Sequence, residues 1–283
     1  SVFTLYNPYR IVVDTIRGPE APVPAVIKNR TSEPVAPALN ADGAFSLSRQ
    51  LGLGVNRVVI DPGHGGHDPG TRSSHTTEAD LVLDIALRLK ALLTLQGSTE
   101  VVLTRESNKF VSLRDRTAIA NHHSADLFLS IHANASTNTK ARGIESYVLN
   151  FALNPEAEAL AARENASSVR TMARLQDLVQ TIALNDKLDE SREFAEMVQE
   201  ALEENLHTSN PRLRNLGVKQ APFVVLIGAH MPSVLTEISF LSNPEEAKLL
   251  ELDGYRQQVA QALFEAVQNY QNTLKNVQVA ARP

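Results

Sequence analysis

The chain of 283 residues contains no cysteine. Disulfide bonds and thiolate metal ligands are therefore excluded, and any metal must be held by histidine, aspartate or glutamate. The chain also lacks an excess of positive charge, because its formal net charge is −5. Binding to nucleic acid through phosphates requires a basic surface, so this class of partner is excluded as well.

Long apolar runs are missing too. No stretch approaches the roughly 18 apolar residues that a membrane-spanning helix requires, so no membrane span is expected. No signal peptide is visible at Ser1. Because the chain begins within a strand-like segment, we expect it to be the mature part of a longer protein.

The sequence does contain enough apolar residues, 43%, to build a core. Residues 1–15 alternate apolar and polar positions around Asn7-Pro8 and predict strand, turn, strand. Residues 16–52 contain several prolines and little periodicity, which indicates a linker. A main domain is expected over residues 53–275, followed by a tail at 276–283.

Strands and helices alternate in this main domain. Strands are predicted at 58–60, 100–105, 126–132, 144–149, 223–227 and 233–239. Helices are predicted from an N-cap at Thr77 to Gly97, at 112–123, at 155–206 with a break near Asn185, and at 244–275. This alternation with continuous apolar strands predicts an α/β fold, a mostly parallel twisted sheet with helices on both faces.

Four polar residues stand where such a fold gathers its sites. His64, His132 and Glu237 follow or end predicted strands, and Glu78 lies in the first turn of a helix, which favours an ionised carboxylate. Two histidines and a glutamate form a ligand set of catalytic zinc sites. A further carboxylate such as Glu237 can then act as a general base.

Each of these residues also has a structural interpretation. A histidine at a strand end is more often structural than functional, and Pro62-Gly63-His64-Gly65-Gly66 is equally compatible with a tight turn or an anion-binding nest. His67 and His75 lie in the same loop and compete as metal ligands. His122, His123, His207 and His230 are expected at a helix end or in loops.

The segments around these residues resemble a known family. VVIDPGHGGHDPGT at 58–71, the glutamate at 78, DLFLSIHANA at 126–135, GIESYVL at 143–149 and SVLTEISFLSN at 233–243 are similar to zinc-dependent N-acetylmuramoyl-L-alanine amidases. The resemblance covers roughly residues 55–270. It implies Zn²⁺ ligands at His64, Glu78 and His132 and a catalytic Glu237. Asn134 and Glu145 lie inside the motifs, as substrate-contacting, supporting or merely structural residues.

The segment at 150–210 is about 40 residues longer than a simple amidase requires. This helical insertion resembles the division-associated periplasmic amidases of Gram-negative bacteria, in which a helix blocks the zinc cleft. The resemblance implies that Glu164 fills the open coordination position. The alternative is that Glu164 is a solvated helix residue.

The resemblance also implies partners. Leu175, Leu178, Val179 and Ile182 recur at helical spacing, either as a face packed on the core or as a face for a LytM-domain activator. Residues 1–15 resemble the end of an AMIN domain, which localises such amidases on the cell wall.

The function implied is hydrolysis of the amide between N-acetylmuramic acid and L-alanine in peptidoglycan, in the periplasm, during daughter-cell separation, by an enzyme that its own insertion inhibits. Two alternatives remain open at this point. One is a wall-binding module without turnover, which would release no stem peptide. The other is a zinc carboxypeptidase, which would release a terminal amino acid.

Overall fold

The computed structural model describes residues 2–5, 10–13, 54–97, 99–167 and 187–280, with side chains between residues 54 and 274. Val55–Tyr270 form one compact unit, which contains all the motif residues. Strands β1 (Val2–Leu5) and β2 (Arg10–Val13) pair as an antiparallel hairpin in register Val2 with Val13. This hairpin confirms the predicted strands, whereas the predicted linker at 16–52 lies outside the described residues.

The larger unit is built on a six-stranded sheet with the order β4-β3-β5-β8-β6-β7. Its strands are β3 (Arg57–Pro62), β4 (Glu100–Leu103), β5 (Leu127–Asn134), β6 (Ile144–Leu149), β7 (Asn215–Ala221) and β8 (Ser233–Phe240). Only the β6–β8 pair is antiparallel among the pairs of this sheet. The mostly parallel sheet predicted from the continuous apolar strands is thereby confirmed.

Six α-helices occur in the described residues, and they pack on both faces of the sheet. They are α1 (Glu78–Leu95), α2 (Leu113–His122), α3 (Pro155–Glu164), α4 (Leu188–Leu206), α5 (Pro244–Glu251) and α6 (Asp253–Ala280). Covered on both faces, the central strands β5 and β8 are buried along their whole length. In this part of the chain no helix is both long and apolar enough to cross a bilayer.

Several helix boundaries follow from their capping residues. Thr77 accepts a hydrogen bond from the Asp80 amide as the N-cap of α1, as predicted. Ser112 caps α2 in the same way. Asn154 caps α3, and Pro155 occupies its first turn, where the missing N–H costs nothing.

Three predictions of secondary structure were wrong. The apolar run at 223–227 is a 3₁₀ turn, Val224–Leu226, because a short apolar run has no period that separates strand from turn. The strand Asn215–Ala221 was missed because it is an edge strand of mixed polarity. The predicted helix 244–275 is two helices, since Leu252 has an extended ψ of 124°.

The predicted helix at 155–206 is interrupted as well. Helix α3 ends at Glu164 and continues only as a 3₁₀ turn, Asn165–Ser167. Helix α4 begins at Leu188. The proposed activator-contacting residues Leu175, Leu178, Val179 and Ile182, and the break at Asn185, lie outside the described residues.

Candidate metal centre

Four side chains from four different elements converge above the ends of β3 and β5. His64 follows β3, Glu78 is the first residue of α1, His132 lies on β5 and Glu164 is the last residue of α3. Oε1 of Glu78 lies 3.1 Å from His64 Nε2 and 3.2 Å from His132 Nδ1. Oε2 of Glu164 lies 3.2 Å and 3.4 Å from the same two nitrogens.

Three of these atoms are buried without a hydrogen-bond partner. They are His64 Nε2, His132 Nδ1 and Glu164 Oε2, and the side-chain atoms of this trio lie within 4.8 Å of one another. A buried polar atom without a partner costs about 1–3 kcal/mol. Three such atoms directed at one point therefore indicate a site for a cation.

The spacing and chemistry of this cluster fit zinc. A tetrahedral ion with bonds of 2.0–2.1 Å separates its ligand atoms by about 3.3 Å, and the observed separations between imidazole nitrogens and carboxylate oxygens are 3.1–3.4 Å. Imidazole and carboxylate donors are those that zinc accepts when cysteine is absent. Glu78 completes the set, because its Oε1 faces both rings.

The electrostatics of the cluster favour positive charge at its centre. Burial lowers the pKa of His64, but the charge of Glu78 and the carboxylates of Asp68 and Glu164 raise it to about 12. Burial likewise lowers the pKa of His132, and Glu164 and Glu78 raise it to about 9. The pKa of Glu78 falls to about 2, because the two histidines outweigh its burial.

Glu237 lies beside this cluster on the next strand. In the sheet register His132 on β5 faces Glu237 on β8, at the ordinary strand spacing of about 4.8 Å. Glu237 is fully buried, and neither of its carboxylate oxygens has a hydrogen-bond partner within the described residues. Burial, supported by the carboxylates of Glu164 and Glu78 and opposed by His132, raises the pKa of Glu237 well above its usual range.

Neighbouring groups fix the orientation of the candidate ligands. Oδ2 of Asp68 lies 3.0 Å from His64 Nδ1, which leaves Nε2 directed at the cluster. Glu78 accepts hydrogen bonds from the Thr71 amide through Oε2 and from the Ala133 amide through Oε1. A carboxylate held at both oxygens cannot rotate freely, so its position is defined before any ion binds.

Arg116 of α2 holds the loop that carries His64. Its buried guanidinium forms an ion pair with Asp61 at 2.8 Å and donates hydrogen bonds to the carbonyls of Pro62 and His64, each at 2.7 Å. Such support is required because His64 has φ 57°, a left-handed conformation that is unfavourable for residues with a side chain. Arg116 thus restrains the backbone of His64, a candidate ligand.

Arg105, which follows β4, connects two of the ligand-bearing segments. It donates hydrogen bonds to the carbonyl of Gly63, next to His64, at 2.6 Å and to the carbonyl of Ala79, next to Glu78, at 2.8 Å. Neither arginine was predicted from the sequence, since an arginine in a predicted helix or strand end has the pattern of a surface residue. Only their burial, 2–3% exposed, distinguishes them.

Two glycines of the motif are required by close contacts with the ligands. A Cβ atom at Gly63 would lie 2.4 Å from the His132 ring. A Cβ atom at Gly70 would lie 2.6 Å from Glu78 Oε2, and Gly70 has φ 61°. Both distances are far below van der Waals contact, so larger residues would displace the ligands.

Asn134 and Glu145 lie next to the cluster and form a hydrogen bond with each other. Asn134 Nδ2 donates to Glu145 Oε1 at 2.5 Å. Glu145 is the second residue of β6, but it reaches the same end of the sheet because β6 runs antiparallel to β8 and Glu145 pairs with Glu237 in register. Lys219 and Tyr147 also bind the Glu145 carboxylate.

The other histidines lie outside this cluster. His67 packs against the Phe110 ring with ring centroids 4.1 Å apart. His75 and His122 are exposed. Of the three histidines in this loop, His64 alone lies in the cluster with His132 and Glu164.

Comparison with known proteins gives the family of the chain. Residues 58–269 match the family described as N-acetylmuramoyl-L-alanine amidase (Amidase_3). The chain belongs to this amidase family. The matched range includes Glu237 and the four residues of the candidate metal site, His64, Glu78, His132 and Glu164.

Individual amidases show the same relationship. The chain is 36% identical to N-acetylmuramoyl-L-alanine amidase AmiC of Neisseria meningitidis over 93% of this chain and 66% of that relative, just under two thirds of its length. It is 36% identical to AmiA of Escherichia coli over 77% of this chain and 76% of that relative. The crystal structure of an N-acetylmuramoyl-L-alanine amidase from Clostridium difficile matches 77% of this chain and 98% of that chain, with a TM-score of 0.60 at 31% identity.

Proposed function

We propose that this amidase is a zinc enzyme that hydrolyses the bond between N-acetylmuramic acid and the L-alanine of the stem peptide in peptidoglycan. The observation that carries the proposal is the convergence of unpartnered buried atoms from His64, His132 and Glu164 beside an unpartnered Glu237 carboxylate. None of these atoms has a hydrogen-bond partner within the described residues. A cation would bind the atoms of His64, His132 and Glu164, and a water molecule that takes part in hydrolysis would hydrogen-bond to Glu237.

In this proposal His64, Glu78 and His132 hold the metal. When bound, a zinc ion supplies a Lewis acid that polarises the scissile carbonyl and lowers the pKa of a water molecule. The two imidazoles and one carboxylate leave one position of a tetrahedron for that chemistry. The buried ligand shell excludes other water, which strengthens electrostatic interactions within it.

Glu237 is the proposed general base. It accepts a proton from the water that attacks the lactyl carbonyl carbon, and it later donates this proton to the departing L-alanine nitrogen. Its raised pKa suits a group that must hold a proton between these two transfers. Because it stands on β8 rather than among the nearest ligand atoms, it can exchange protons without leaving a metal.

Replacement of Glu237 by glutamine tests this role. We expect Glu237→Gln to retain zinc and to lose at least 100-fold in kcat, the lower range for a general base. Zinc content is measured by atomic absorption and turnover by release of stem peptide from muropeptides. The exposed Glu200→Gln is the matched control and should behave as the parent. Turnover of Glu237→Gln at the parent rate would reject the assignment.

The same geometry supports autoinhibition by α3. Glu164 Oε2 lies 3.2 Å from His64 Nε2 and 3.4 Å from His132 Nδ1, so the end of α3 closes this part of the cluster. Burial alone would raise the pKa of Glu164, but His132 and His64 hold it well below its usual range. An ionised carboxylate at this position competes with substrate for the open coordination position.

Release of α3 would then require a partner. We propose a LytM-domain activator that binds the segment containing Leu175, Leu178, Val179 and Ile182 and draws α3 away. The setting is the periplasm, where septal peptidoglycan is cut as daughter cells separate. The sequence pattern and the family resemblance support this part of the proposal.

One substitution tests inhibition and activation together. Glu164→Ala should raise basal stem-peptide release about tenfold or more, because about 1.4 kcal/mol of competition corresponds to tenfold. An activator should then add little further activity. Glu158→Ala, an exposed position on the same helix, is the control. If Glu164→Ala leaves basal activity unchanged, α3 does not block the site.

A further inference from the structure

A cavity opens next to the metal cluster, between α3 and the ends of the sheet strands. Its volume is about 490 Å³, within the range of ligand pockets. Its wall includes Asn134, Ala135, Glu145, Tyr147, Arg163 and Lys219. Arg163 immediately precedes Glu164, so the cavity and the cluster share one helix end.

Arg163 fills a pair of hydrogen-bond acceptors in this cavity. Its Nη1 donates to the carbonyl of Ala135 at 2.6 Å, and its Nη2 donates to Oδ1 of Asn134 at 3.1 Å. Its Nε donates to Glu164 Oε1 at 3.1 Å. Two adjacent residues of α3 therefore occupy two adjacent parts of the site at once.

Neither acceptor belongs to α3, since Asn134 is the last residue of β5 and Ala135 follows it. The Asn134 amide nitrogen donates to Glu145, which directs Oδ1 of Asn134 away from Glu145 and towards Arg163. Asn134 is 5% exposed and lies two residues beyond His132 on β5. The pair thus has a fixed position beside the proposed reaction centre.

If α3 moved away, Ala135 O and Asn134 Oδ1 would become accessible to a ligand that enters the cleft. Both are oxygen acceptors, so their chemistry selects a ligand that presents N–H donors, as a guanidinium or a peptide group does. The substrate carries such donors on the side of the scissile bond that leaves, the L-alanyl stem peptide. Asn134 lies two residues beyond His132 on β5, which places the acceptor pair next to the proposed reaction centre.

We propose that Ala135 O and Asn134 Oδ1 bind backbone N–H groups of the stem peptide, and that Arg163 mimics those groups while Glu164 fills the metal cluster. The inference rests on the proposed function. It adds a peptide-binding subsite and its residues. Helix α3 would then occupy two positions that the substrate uses, the peptide subsite through Arg163 and the candidate metal site through Glu164.

The experiment uses the full-length chain carrying Glu164→Ala. Binding of the product peptide, L-alanyl-D-glutamyl-diaminopimelate, is measured by calorimetry, and KM is measured with a soluble muropeptide. Adding Arg163→Ala should lower both the peptide Kd and KM about tenfold, because the acceptors are freed. Adding Arg163→Gln should lower them less, since the glutamine amide still donates.

Leucine is close to asparagine in volume but cannot accept a hydrogen bond. The variant Asn134→Leu therefore distinguishes a contact with the substrate from a contact with α3 alone. In the Glu164→Ala, Arg163→Ala background it should raise the peptide Kd and KM about tenfold. A residue that only held the helix would have no further effect there, and that result would overturn the inference. Tyr147→Phe removes another hydrogen bond to Glu145, so an equal effect from it would also overturn the inference.

The two proposals fail in different ways. Calorimetry reports peptide binding without turnover, so it decides the subsite even if Glu164→Ala fails to raise activity. Failure of the Glu164→Ala activity test rejects blocking by α3. An unchanged peptide Kd in Asn134→Leu, with activity raised by Glu164→Ala, rejects the subsite alone.

Discussion

At the scale of single residues, the backbone of His64 shows how the ligand shell is maintained. Its φ of 57° places a non-glycine residue in a conformation that costs of order 1–3 kcal/mol. The hydrogen bond from Arg116 to the His64 carbonyl and the Arg116–Asp61 ion pair oppose this cost. Burial alone would raise the pKa of Asp61, but Arg116, Thr104 and Ser130 lower it, so the pair stays charged.

We therefore expect a replacement of Arg116 to lower zinc affinity more than a replacement of an exposed residue does. Arg116→Lys keeps the charge but cannot reach Asp61, Pro62 and His64 together, since lysine is a single point donor. We expect zinc affinity to fall about 10- to 100-fold, as for other residues that orient ligands. Chelator competition measures this affinity. Arg114→Lys, exposed on the same helix, is the control, and equal affinities in the two variants would contradict the expectation.

At the scale of elements, α3 is stabilised by contacts with neighbouring elements rather than by its intrinsic helix stability. It has only 10 residues, which is too short for stable helix formation in water. It buries Ala157, Leu160 and Ala161 against the core cluster. Past its end, the Asn165 side chain hydrogen-bonds the Pro222 carbonyl and the Val224 amide. The position of α3 therefore depends on these contacts rather than on the intrinsic stability of the helix.

Its N-cap gives a way to weaken α3 without touching the metal cluster. Asn154→Ala removes the hydrogen bond from the Ala157 amide and should destabilise the helix by about 1 kcal/mol. Basal stem-peptide release should rise about fivefold, the factor that corresponds to this energy. Asn154→Ser retains a cap and serves as the control. Equal basal rates in both variants would show that cap strength does not govern blocking.

At the scale of the whole molecule, sheet order assembles the site. Strands β3, β5, β8 and β6 are neighbours, so His132, Glu237 and Glu145 stand in one row although they are distant in sequence. The metal cluster joins this row to α1 and α3. An ion bound at this cluster would connect these elements, and its binding free energy would contribute to the stability of the folded state.

Removal of the metal should accordingly affect stability as well as turnover. Zinc at 100 times its Kd stabilises the folded state by about 2.7 kcal/mol, which for this size corresponds to about 5–10 °C in Tm. We expect EDTA to abolish activity and lower Tm, and zinc to restore both. Glu237→Gln should show the same change in Tm without activity. A Tm that is insensitive to EDTA would argue against a metal bridging these elements.

The sequence predicted the elements whose patterns are local. The strand at 144–149 and the N-cap at Thr77 were located correctly, because apolar continuity and capping chemistry are read within a few residues. The turn at Val224–Leu226 was mistaken for a strand, since its apolar side chains are buried by contacts with distant elements. The edge strand at 215–221 was missed for the converse reason, as half-exposed strands carry mixed residues.

The sequence by itself determined the fold class, the absence of thiolate ligands and the residue types from which a zinc site is drawn, because these depend on composition and local pattern. Only the tertiary structure decided that His64 rather than His67 or His75 joins His132, that Glu164 reaches the same point, and that Arg105 and Arg116 are buried. These outcomes depend on strand order, on the reversed direction of β6 and on side-chain packing. Such properties arise from contacts between residues far apart in the chain, which no local pattern encodes.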